Sequence, residues 1–305
     1  MINYNRILKY VKHPSKFFLK LDEKGILRLP DKIFIKFQFY NEMGYKLDLK
    51  NPITFDEKLQ WLKLYDRNPL YTTMVDKYEA KEYVGKIIGE KHIIPTIGIY
   101  DKWEDIDFKK LPKSYVIKTT HDSGSVFVIK DGKIDKEMIK EKIEKSLKNN
   151  FFYQSREWPY KNVKPRILIE KYMEDNVDKE LRDYKLYSFD GYVAATLLAT
   201  NRQSKTEELN FDYFNDKFKH LKWTNEWHPN NKKVPHKPVN YELMRTFAEK
   251  LSKGFPHMRV DFYEVNGEVY FGEITLYDMA GYLKIHPDKW ETRFGKLIKL
   301  PKKRK

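Results

Sequence analysis

Cysteine is absent from the chain, and its absence removes several kinds of chemistry at once. Disulfide bonds, metal sites with thiolate ligands and a cysteine nucleophile are excluded, which suits a reducing compartment. Long apolar runs are also missing: no segment approaches the roughly 18 to 20 residues that a membrane-spanning helix needs. The N-terminal segment lacks the apolar core of a signal peptide. We therefore predict a cytoplasmic protein that is neither secreted nor integral to a membrane.

Core-forming residues are present in ordinary amounts. Hydrophobic residues make up 41% of the 305 positions and aromatic residues 15%, which is too rich for a disordered chain. Charged residues make up 34% and the mean hydropathy is −0.75, so we expect the folded protein to stay in water. At about 100 to 200 residues per domain, the length predicts roughly two domains.

The chain is strongly basic, with a formal net charge of +15. This surplus favours polyanionic partners such as nucleic acid, an anionic membrane surface, ATP or acidic glycans. Zinc-finger spacing and RNP-like strands are missing, so we expect no nucleic-acid partner. Residues 2–36 hold nine Lys or Arg against three Asp or Glu, which indicates a basic, partly helical arm, and residues 301–305 form a basic tail. A basic surface that only aids solubility explains the same charge.

Local patterns predict helices in the first half and strands in the second. Thr54 and Glu57 have the spacing of a capping box, so we expect a helix to start there, and a second helical pattern covers residues 71–86. A strand, a small-residue loop, a strand and a charged helix follow between 111 and 149. Two long hairpins then turn at Asp190-Gly191 and Asn266-Gly267.

The second of these hairpins carries the most informative group of side chains. Strand alternation places Arg259 and Asp261 on one face of the first strand, and Glu273 and Thr275 on one face of the returning strand. Two carboxylates beside an arginine could hold magnesium and a triphosphate, because the metal prefers oxygen ligands and the phosphoryl group needs a fixed cation. A cross-strand salt bridge has the same spacing, and spacing alone favours it.

Two further segments are suggestive but weak. Lys118 ends an apolar strand and precedes a small polar loop, residues 121–125, whose backbone amides could cap phosphates. The loop holds a single glycine, far from a Walker motif, and such turns often only join strands. Glu170 and Lys171 lie within an apolar strand, where they could meet a ligand such as an adenine edge or face water on an edge strand.

The order of four motifs resembles a known family. They are TFDEKLQWLKLYDRNPLYTTMVDKYEAKEYV from Thr54, LPKSYVIKTTHDSGS from Leu111, DYKLYSFDG from Asp183 and RVDFYEVNGEVYFGEITLY from Arg259. Together they resemble the ATP-grasp ligases, and most closely the TupA-like ATP-grasp proteins of bacterial surface-polysaccharide clusters. The first motif is typical of the TupA-like group and the other three of ATP-grasp enzymes in general.

This resemblance implies an α+β ATP-grasp fold in which the nucleotide lies between a lid subdomain and a sheet-rich C-terminal lobe. We expect four parts: an α/β N-terminal domain with its basic arm over 1–110, the lid subdomain over 111–172, the C-terminal lobe with the metal site over 173–300, and the basic tail over 301–305.

The resemblance also implies residue roles at the nucleotide. Lys77 and Lys118 would contact the ATP phosphates, and Glu180 would hold the ribose hydroxyls. The remaining nucleotide contacts fall in two groups, a flexible lid over the phosphates and a hinge that reads adenine. They are His121, Ser123, Gly124 and Ser125 in the lid, and Glu170, Lys171, Tyr172 and Met173 in the hinge.

At the reacting centre, the resemblance makes Arg259 the residue that steadies the transferring phosphoryl group and Arg202 a further phosphate or carboxylate clamp. Asp261, Glu273 and Thr275 would bind Mg²⁺, with two ions expected. Two positions depart from the family pattern. Thr275 stands where many relatives have asparagine, so the third ligand would be a weaker hydroxyl. Asp122 stands in the lid loop where TupA-like sequences often have glycine, and its carboxylate would repel the triphosphate unless it is paired or turned away.

The implied activity is ATP-dependent ligation of a carboxylate to an amine through an acyl phosphate, which needs no nucleophile from the protein. The implied carboxylate is a uronic acid of a capsule, O-antigen or teichuronic-type glycan, joined to an amino acid or another amine. The basic arm and tail suggest peripheral contact with the anionic inner leaflet.

Two other functions explain parts of the sequence. A glycosyltransferase of a polysaccharide cluster would need a metal-binding Asp-x-Asp motif. Asp105-Ile106-Asp107 has this spacing, but its surrounding sequence is more typical of a surface turn. A non-catalytic basic binding protein explains the charge but not the paired lysines, the hinge and the carboxylate hairpin.

Overall fold

Helices form the N-terminal part of the chain in the computed structural model, which describes residues 14–176, 181–202, 208–287 and 289–303. Their bounds are α1 (Pro14–Glu23), α2 (Asp31–Met43), α3 (Phe55–Tyr65), α4 (Leu70–Val75) and α5 (Glu79–Ile88). The predicted start of α3 is confirmed: the Thr54 hydroxyl accepts the Glu57 amide at 3.2 Å, and the Glu57 carboxylate accepts the Thr54 amide at 3.0 Å. This reciprocal pair satisfies two amides that the first turn would otherwise leave free.

The predicted helix over residues 71–86 is wrong in one respect, because the chain forms two helices there. Asp76 separates α4 from α5 in an extended conformation. Its carboxylate accepts the amides of Tyr78 at 2.8 Å and Glu79 at 3.1 Å, so the side chain caps the start of α5. The other carboxylate oxygen accepts a hydrogen bond from Arg166 at 2.7 Å. This bond holds the break between the two helices to the lid.

A four-stranded antiparallel sheet forms the lid. Its strands are β1 (Thr96–Tyr100), β2 (Tyr115–Thr119), β3 (Val126–Ile129) and β4 (Ile167–Lys171), in the order β1-β4-β2-β3. Helix α6 (Lys136–Leu147) packs against this sheet and closes a small core of its own, which includes Ile117, Ile143 and Ile169. Strand β1 lies before residue 110 in sequence yet pairs with β4. The expected domain bounds stay a prediction.

A six-stranded antiparallel sheet dominates the second half. It has the order β11-β10-β5-β6-β7-β8, and a two-stranded pair, β12 with β9, lies beside it. The strands are β5 (Asp183–Phe189), β6 (Tyr192–Thr200), β7 (Asn210–Asn215), β8 (His220–Leu221), β9 (Thr224–Asn225), β10 (Met258–Val265), β11 (Glu268–Thr275) and β12 (Ile285–His286). The short helix α7 (Phe152–Ser155) precedes the sheet, α8 (Tyr241–Ser252) packs on it, and α9 (Lys289–Leu297) packs against α3.

Both predicted hairpin turns are confirmed. Asp190 and Gly191 join β5 to β6, and Asn266 and Gly267 join β10 to β11, with positive φ at all four residues. Such left-handed backbone fits the right-handed twist of the flanking strands, and Asn, Asp and Gly adopt it most readily. The larger hydrophobic core runs without interruption from α2–α5 to this sheet. In the described part of the chain, no helix has the length and apolarity to cross a membrane.

Candidate active site

A row of side chains crosses the large sheet and forms the floor of a cleft. Cross-strand register aligns Glu273 on β11 with Asp261 on β10, then Lys185, Leu197 and Tyr213 on β5, β6 and β7. Residues that face each other across antiparallel strands lie on one face of a sheet. The cleft above this row has a volume of about 490 Å³, and the lid loop, the segment around α7 and a loop after β9 form its walls.

Arg259 is the hub of this floor. Its guanidinium donates two hydrogen bonds to Asp261, at 2.8 and 2.7 Å, and one to Asp278. It also donates to Thr275 at 3.0 Å and to Glu273 at 3.2 Å. Burial lowers the pKa of Arg259, but the carboxylates of Asp261 and Asp278 outweigh this and hold it well above its usual value. The guanidinium is therefore a fixed cation, and each of its three nitrogens donates to at least one acceptor.

The two carboxylates of the hairpin have different surroundings. The Asp261 side chain is 1% exposed, and Lys185 donates to it at 2.5 Å beside the two bonds from Arg259. Burial raises the pKa of Asp261, but Arg259 and Lys185 outweigh burial and lower it. Glu273 is 43% exposed and lines the cleft. Asp261 is thus held in buried ion pairs with Arg259 on its own strand and Lys185 on β5, while Glu273 makes the cross-strand salt bridge with Arg259 that spacing alone favoured and also lines the cleft.

The donor set fits magnesium in part. Glu273 and Thr275 line the cleft and offer a carboxylate and a hydroxyl, both hard oxygen ligands. Over the residues described, no three His, Cys, Asp or Glu side chains are grouped so that they could hold a metal ion. This is compatible with Mg²⁺, which one or two carboxylates commonly hold together with the phosphates of a nucleotide.

Two lysines meet a buried carboxylate on the lid. Lys118 and Lys81 both contact Glu170, Lys81 at 2.6 Å, from β2 and α5. Burial raises the pKa of Glu170, but the two ammonium groups outweigh it and lower the pKa. The Glu170 side chain is 4% exposed, so lysines rather than solvent surround it. Strand β4 is paired on both sides, with β1 and with β2, so the predicted adenine contacts at this hinge stay a prediction.

Lys77 lies at the base of the lid loop. Its ammonium group donates to the carbonyl of Asp122, and its amide donates to the Thr120 carbonyl at 3.1 Å. Burial lowers the pKa of Lys77. The lysine predicted to contact phosphate is therefore positioned directly under the loop that is predicted to cover the phosphates.

The Asp122 carboxylate is held within the loop by three hydroxyl groups, although the residue also borders the cleft. Its carboxylate accepts the hydroxyls of Thr119, Ser125 and Ser146, each at 2.5 Å. Burial raises the pKa of Asp122, but these three hydrogen bonds, with Lys77, outweigh it and lower the pKa. Asp122 therefore stays ionised, with its carboxylate oxygens occupied by hydroxyl donors, and its effect on a bound triphosphate stays a prediction.

The remaining lid and hinge residues differ in exposure. His121 is buried, with Nε2 3.0 Å from the Ser146 carbonyl oxygen, so it packs into the lid rather than the cleft. Ser123 and Gly124 form the exposed tip of the loop, where Gly124 has φ +97°, a conformation that favours glycine. Lys171 is exposed, and Tyr172 and Met173 are half-buried. Glu180 lies outside the described residues.

Arg202 lies at the far side of the cleft floor. Its guanidinium donates to Asp183 at 2.7 Å, and its side chain is 55% exposed. Lys185 contacts the same Asp183 carboxylate at 2.5 Å. Arg202 therefore keeps part of its fork available to a ligand in the cleft.

Sequence reasoning missed four charged residues of this centre. Lys185 and Asp183 join the row, Asp278 accepts from both Arg259 and Tyr187, and Lys81 contacts Glu170. Asp183 and Lys185 are two residues apart within DYKLYSF, so strand alternation would have placed them on one face. Lys81 follows Lys77 by four residues, which is the spacing of one helical turn. No local pattern pointed to Asp278.

A carboxylate-floored cleft between an antiparallel lid and a larger antiparallel sheet defines the ATP-grasp class of ATP-dependent ligases. The family model of the TupA-like ATP-grasp proteins matches residues 57–299, which is most of the chain. The chain belongs to this family, and it is an ATP-grasp ligase with an α+β fold, as the sequence predicted.

Solved structures of other ligases are similar at low identity. A D-alanine–D-alanine ligase from Helicobacter pylori is 16% identical with TM-score 0.41, and the match covers 81% of this chain and 69% of that one. The Bacillus anthracis enzyme complexed with ATP is 17% identical with TM-score 0.39, over 67% and 55%. The ATP-grasp ligase PsnB, complexed with a minimal precursor, Mg and ADP, is 9% identical with TM-score 0.38, over 80% and 62%. No curated protein sequence matches the chain.

Proposed function

We propose that this protein joins a carboxylate to an amine at the expense of ATP. A carboxylate oxygen of the substrate bonds to the γ-phosphorus while the bond to the ADP oxygen breaks, which gives an acyl phosphate and ADP. The amine then attacks the acyl carbon, phosphate leaves, and the amine loses a proton as the amide forms. The convergence of Arg259, Lys185 and Glu273 on one cleft beneath the lid carries this proposal.

A few charged groups of the cleft and the lid have distinct parts in this reaction. Arg259 holds the floor rigid and offers a fixed positive charge to the phosphoryl group. Lys118 and Lys77 neutralise the phosphates, and the tip of the loop at Ser123 and Gly124 covers them so that water does not hydrolyse the acyl phosphate. Glu273 and Thr275, with Asp261 beside them, would hold Mg²⁺, two ions in the proposed complex, and the metal when bound would supply further charge neutralisation.

The proposed carboxylate substrate is a uronic acid within a bacterial surface polysaccharide, such as a capsule, O-antigen or teichuronic-type glycan. Membership in the TupA-like family supports a ligase, and the exposed cation of Arg202 beside the cleft supports an anionic substrate. The amine is an amino acid or another small amine. The acidic acceptor also suits a protein whose net charge is +15.

Nothing around the rival metal motif supports a glycosyltransferase. Ile106 is buried in the small lid core, and Asp105 ends a single 3₁₀ turn. Asp107 accepts the Lys109 amide at 3.1 Å and pairs with Lys110. These contacts are those of a surface turn, and neither carboxylate borders the cleft.

The test is a product assay with defined substrates. Purified protein is incubated with ATP, Mg²⁺, a uronic acid oligosaccharide and a panel of amino acids, and ADP, AMP and the amide are followed by mass spectrometry. We expect ADP and phosphate only when both substrates are present. AMP with pyrophosphate, or turnover of a UDP-sugar without ATP, would contradict the proposal. Loss of an amide-linked substituent from the polysaccharide of cells lacking the gene would identify the acceptor.

We also propose that the protein is cytoplasmic and docks on the anionic inner leaflet through α1 and α2. Residues 14–36 carry six Lys or Arg against three Asp or Glu. The same segment and the following turn of α2 expose large apolar side chains, namely Phe17, Phe18, Ile26, Leu27, Ile33 and Tyr40. Basic residues contribute about 1 kcal/mol each near an anionic bilayer, and the exposed aromatic rings suit the interface.

Vesicle sedimentation tests this docking. We expect binding to vesicles with anionic lipid, and loss of binding when Lys24, Lys32 and Lys36 are changed to Glu. Changing the three exposed lid residues Lys109, Lys113 and Lys133 to Glu alters the net charge equally, is the matched control and should leave binding nearly intact. Equal binding to neutral vesicles would refute the electrostatic explanation.

A further inference from the structure

The cleft extends beyond the charged floor to an aromatic end. The row of side chains continues from Asp261 across Lys185 and Leu197 to Tyr213, three strand spacings away. At about 4.8 Å per spacing, this end lies about 14 Å from Asp261. Trp227, His228 and Phe211 border the cleft there.

Asn225 fixes the loop that carries the exposed Trp227 ring and the half-buried His228 ring. Its side-chain oxygen accepts the amides of Trp227 at 2.9 Å and His228 at 2.7 Å. Its amide nitrogen donates to the Tyr213 hydroxyl at 3.1 Å. The His228 ring packs against Phe211 with 4.5 Å between the ring centroids. The loop is therefore anchored to β7 through both Tyr213 and Phe211.

Trp227 is left open by this arrangement. The indole is 44% exposed although it lies in a cleft, and no aromatic ring stacks on it in the part of the chain that the structure describes. A large amphipathic ring held open in a concave site is a stacking surface for a ligand. Arg202 faces the same cleft with 55% of its side chain exposed.

We infer that the aromatic end of the cleft, formed by Trp227, His228, Phe211 and Asn225, binds a sugar ring of the carboxylate substrate. A pyranose has an apolar face of C–H groups, which stacks on the indole, and a rim of hydroxyls, which His228 can meet. Arg202 faces the acidic group of the same saccharide. The inference rests on the proposed function and extends it by placing the ring at a defined site.

The dimensions of the cleft favour a saccharide over a free amino acid. A free amino acid at the reacting centre does not span the distance of about 14 Å to Tyr213. A wholly apolar ligand would leave the polar side chains of Arg202 and His228 desolvated without partners. An adenine ring has its own predicted place at the end of β4, and that strand does not border the cleft.

Calorimetry with three probes tests this inference on the full chain. The probes are a disaccharide that contains a uronic acid, its neutral counterpart and glutamate, each without nucleotide. We expect Trp227→Ala to weaken binding of the acidic disaccharide about tenfold or more, and Trp227→Phe to restore part of it. Tyr192→Ala, at an equally exposed ring outside the cleft, should bind like the unchanged protein.

The results separate the inference from the proposed function. Unchanged binding by Trp227→Ala would overturn the sugar site, and so would glutamate that binds as tightly as the disaccharide. Trp227-dependent binding of the disaccharide without ATP-dependent amide formation would support the site while contradicting the ligase proposal. Amide formation that does not change in Trp227→Ala at limiting saccharide would count against the site alone.

Discussion

Loss of charge at the two carboxylates of the β10–β11 hairpin should have different effects on thermal stability. The loss should be small at Glu273 and large at Asp261. Glu273→Gln removes a charge that is 43% exposed, while Asp261→Asn removes one that is 1% exposed and contacts two cations. Breaking an exposed pair costs about 0 to 1 kcal/mol. Removing one partner of a buried pair costs about 3 to 5 kcal/mol, because the remaining charge is left in a low dielectric.

These energies translate into melting temperatures that are easy to distinguish. At about 2 °C per kcal/mol for a chain of this size, Glu273→Gln should lower Tm by about 2 °C or less. Asp261→Asn should lower Tm by about 6 to 10 °C. Turnover of folded Glu273→Gln should fall by about 10²- to 10³-fold, because the metal and the transferring phosphoryl group lose a charge partner.

The assay pairs differential scanning fluorimetry with ADP release at limiting Mg²⁺. Glu268→Gln, an exposed change at the start of the same strand, is the control and should alter neither quantity. Near-normal turnover by a folded Glu273→Gln protein would refute the assignment of this hairpin to the metal. Equal losses of Tm in the Glu273 and Asp261 variants would refute the argument that the buried carboxylate contributes more to stability than the exposed one.

Three further predictions concern residues outside the hairpin. Asp122→Ala should raise KM for ATP about tenfold with a smaller change in kcat, because three hydroxyls lose their shared acceptor and the loop loosens; an unchanged KM would contradict this. Burial lowers the pKa of His257 from 6.5 to about 4, so the stability it contributes should be present above pH 6.5 and be lost by about 3 kcal/mol as the pH falls to 4. When the unfolding free energy is measured against pH, His257→Phe should show a smaller decrease between pH 6.5 and 4. An unchanged slope would contradict this prediction. Lys63→Met should lower the unfolding free energy by about 2 to 4 kcal/mol in urea titration, because buried Glu157 loses its cation and the Ser155 carbonyl loses the ammonium donor at 2.9 Å; a loss below 1 kcal/mol would refute this.

The elements that the sequence predicted well are specified by residues close together in the chain. The capping box at Thr54 and Glu57 and the turns at Asp190 and Asn266 each depend on a few adjacent positions. The missed break at Asp76 was also local, because Asp76 and Glu79 have the spacing of a capping motif. The helical periodicity that runs through both helices concealed it.

The burial of site residues could not be predicted in the same way. Lys185 and Asp261 are 76 residues apart in sequence and meet only through the register of β5 with β10. Sequence alternation placed Asp261 and Glu273 on suitable faces but could not tell which of them lies under a neighbouring strand. Strand order, which follows from the whole sheet, makes Asp261 an interior residue and leaves Glu273 on the outer strand β11.

The pairing of the cations suggests how the cleft changes when a nucleotide enters. Arg259 donates to four acceptors, so moving it would break the whole floor. The ammonium groups of Lys118 and Lys77 each contact a single acceptor group among the residues described, the Glu170 carboxylate and the Asp122 carbonyl. A triphosphate competes well with those partners because it carries more charge and more acceptor oxygens. In the proposed reaction, Arg259 therefore acts as a rigid support while the two lysines exchange partners. The residual charge on Glu170 would then be balanced by Lys81 at 2.6 Å.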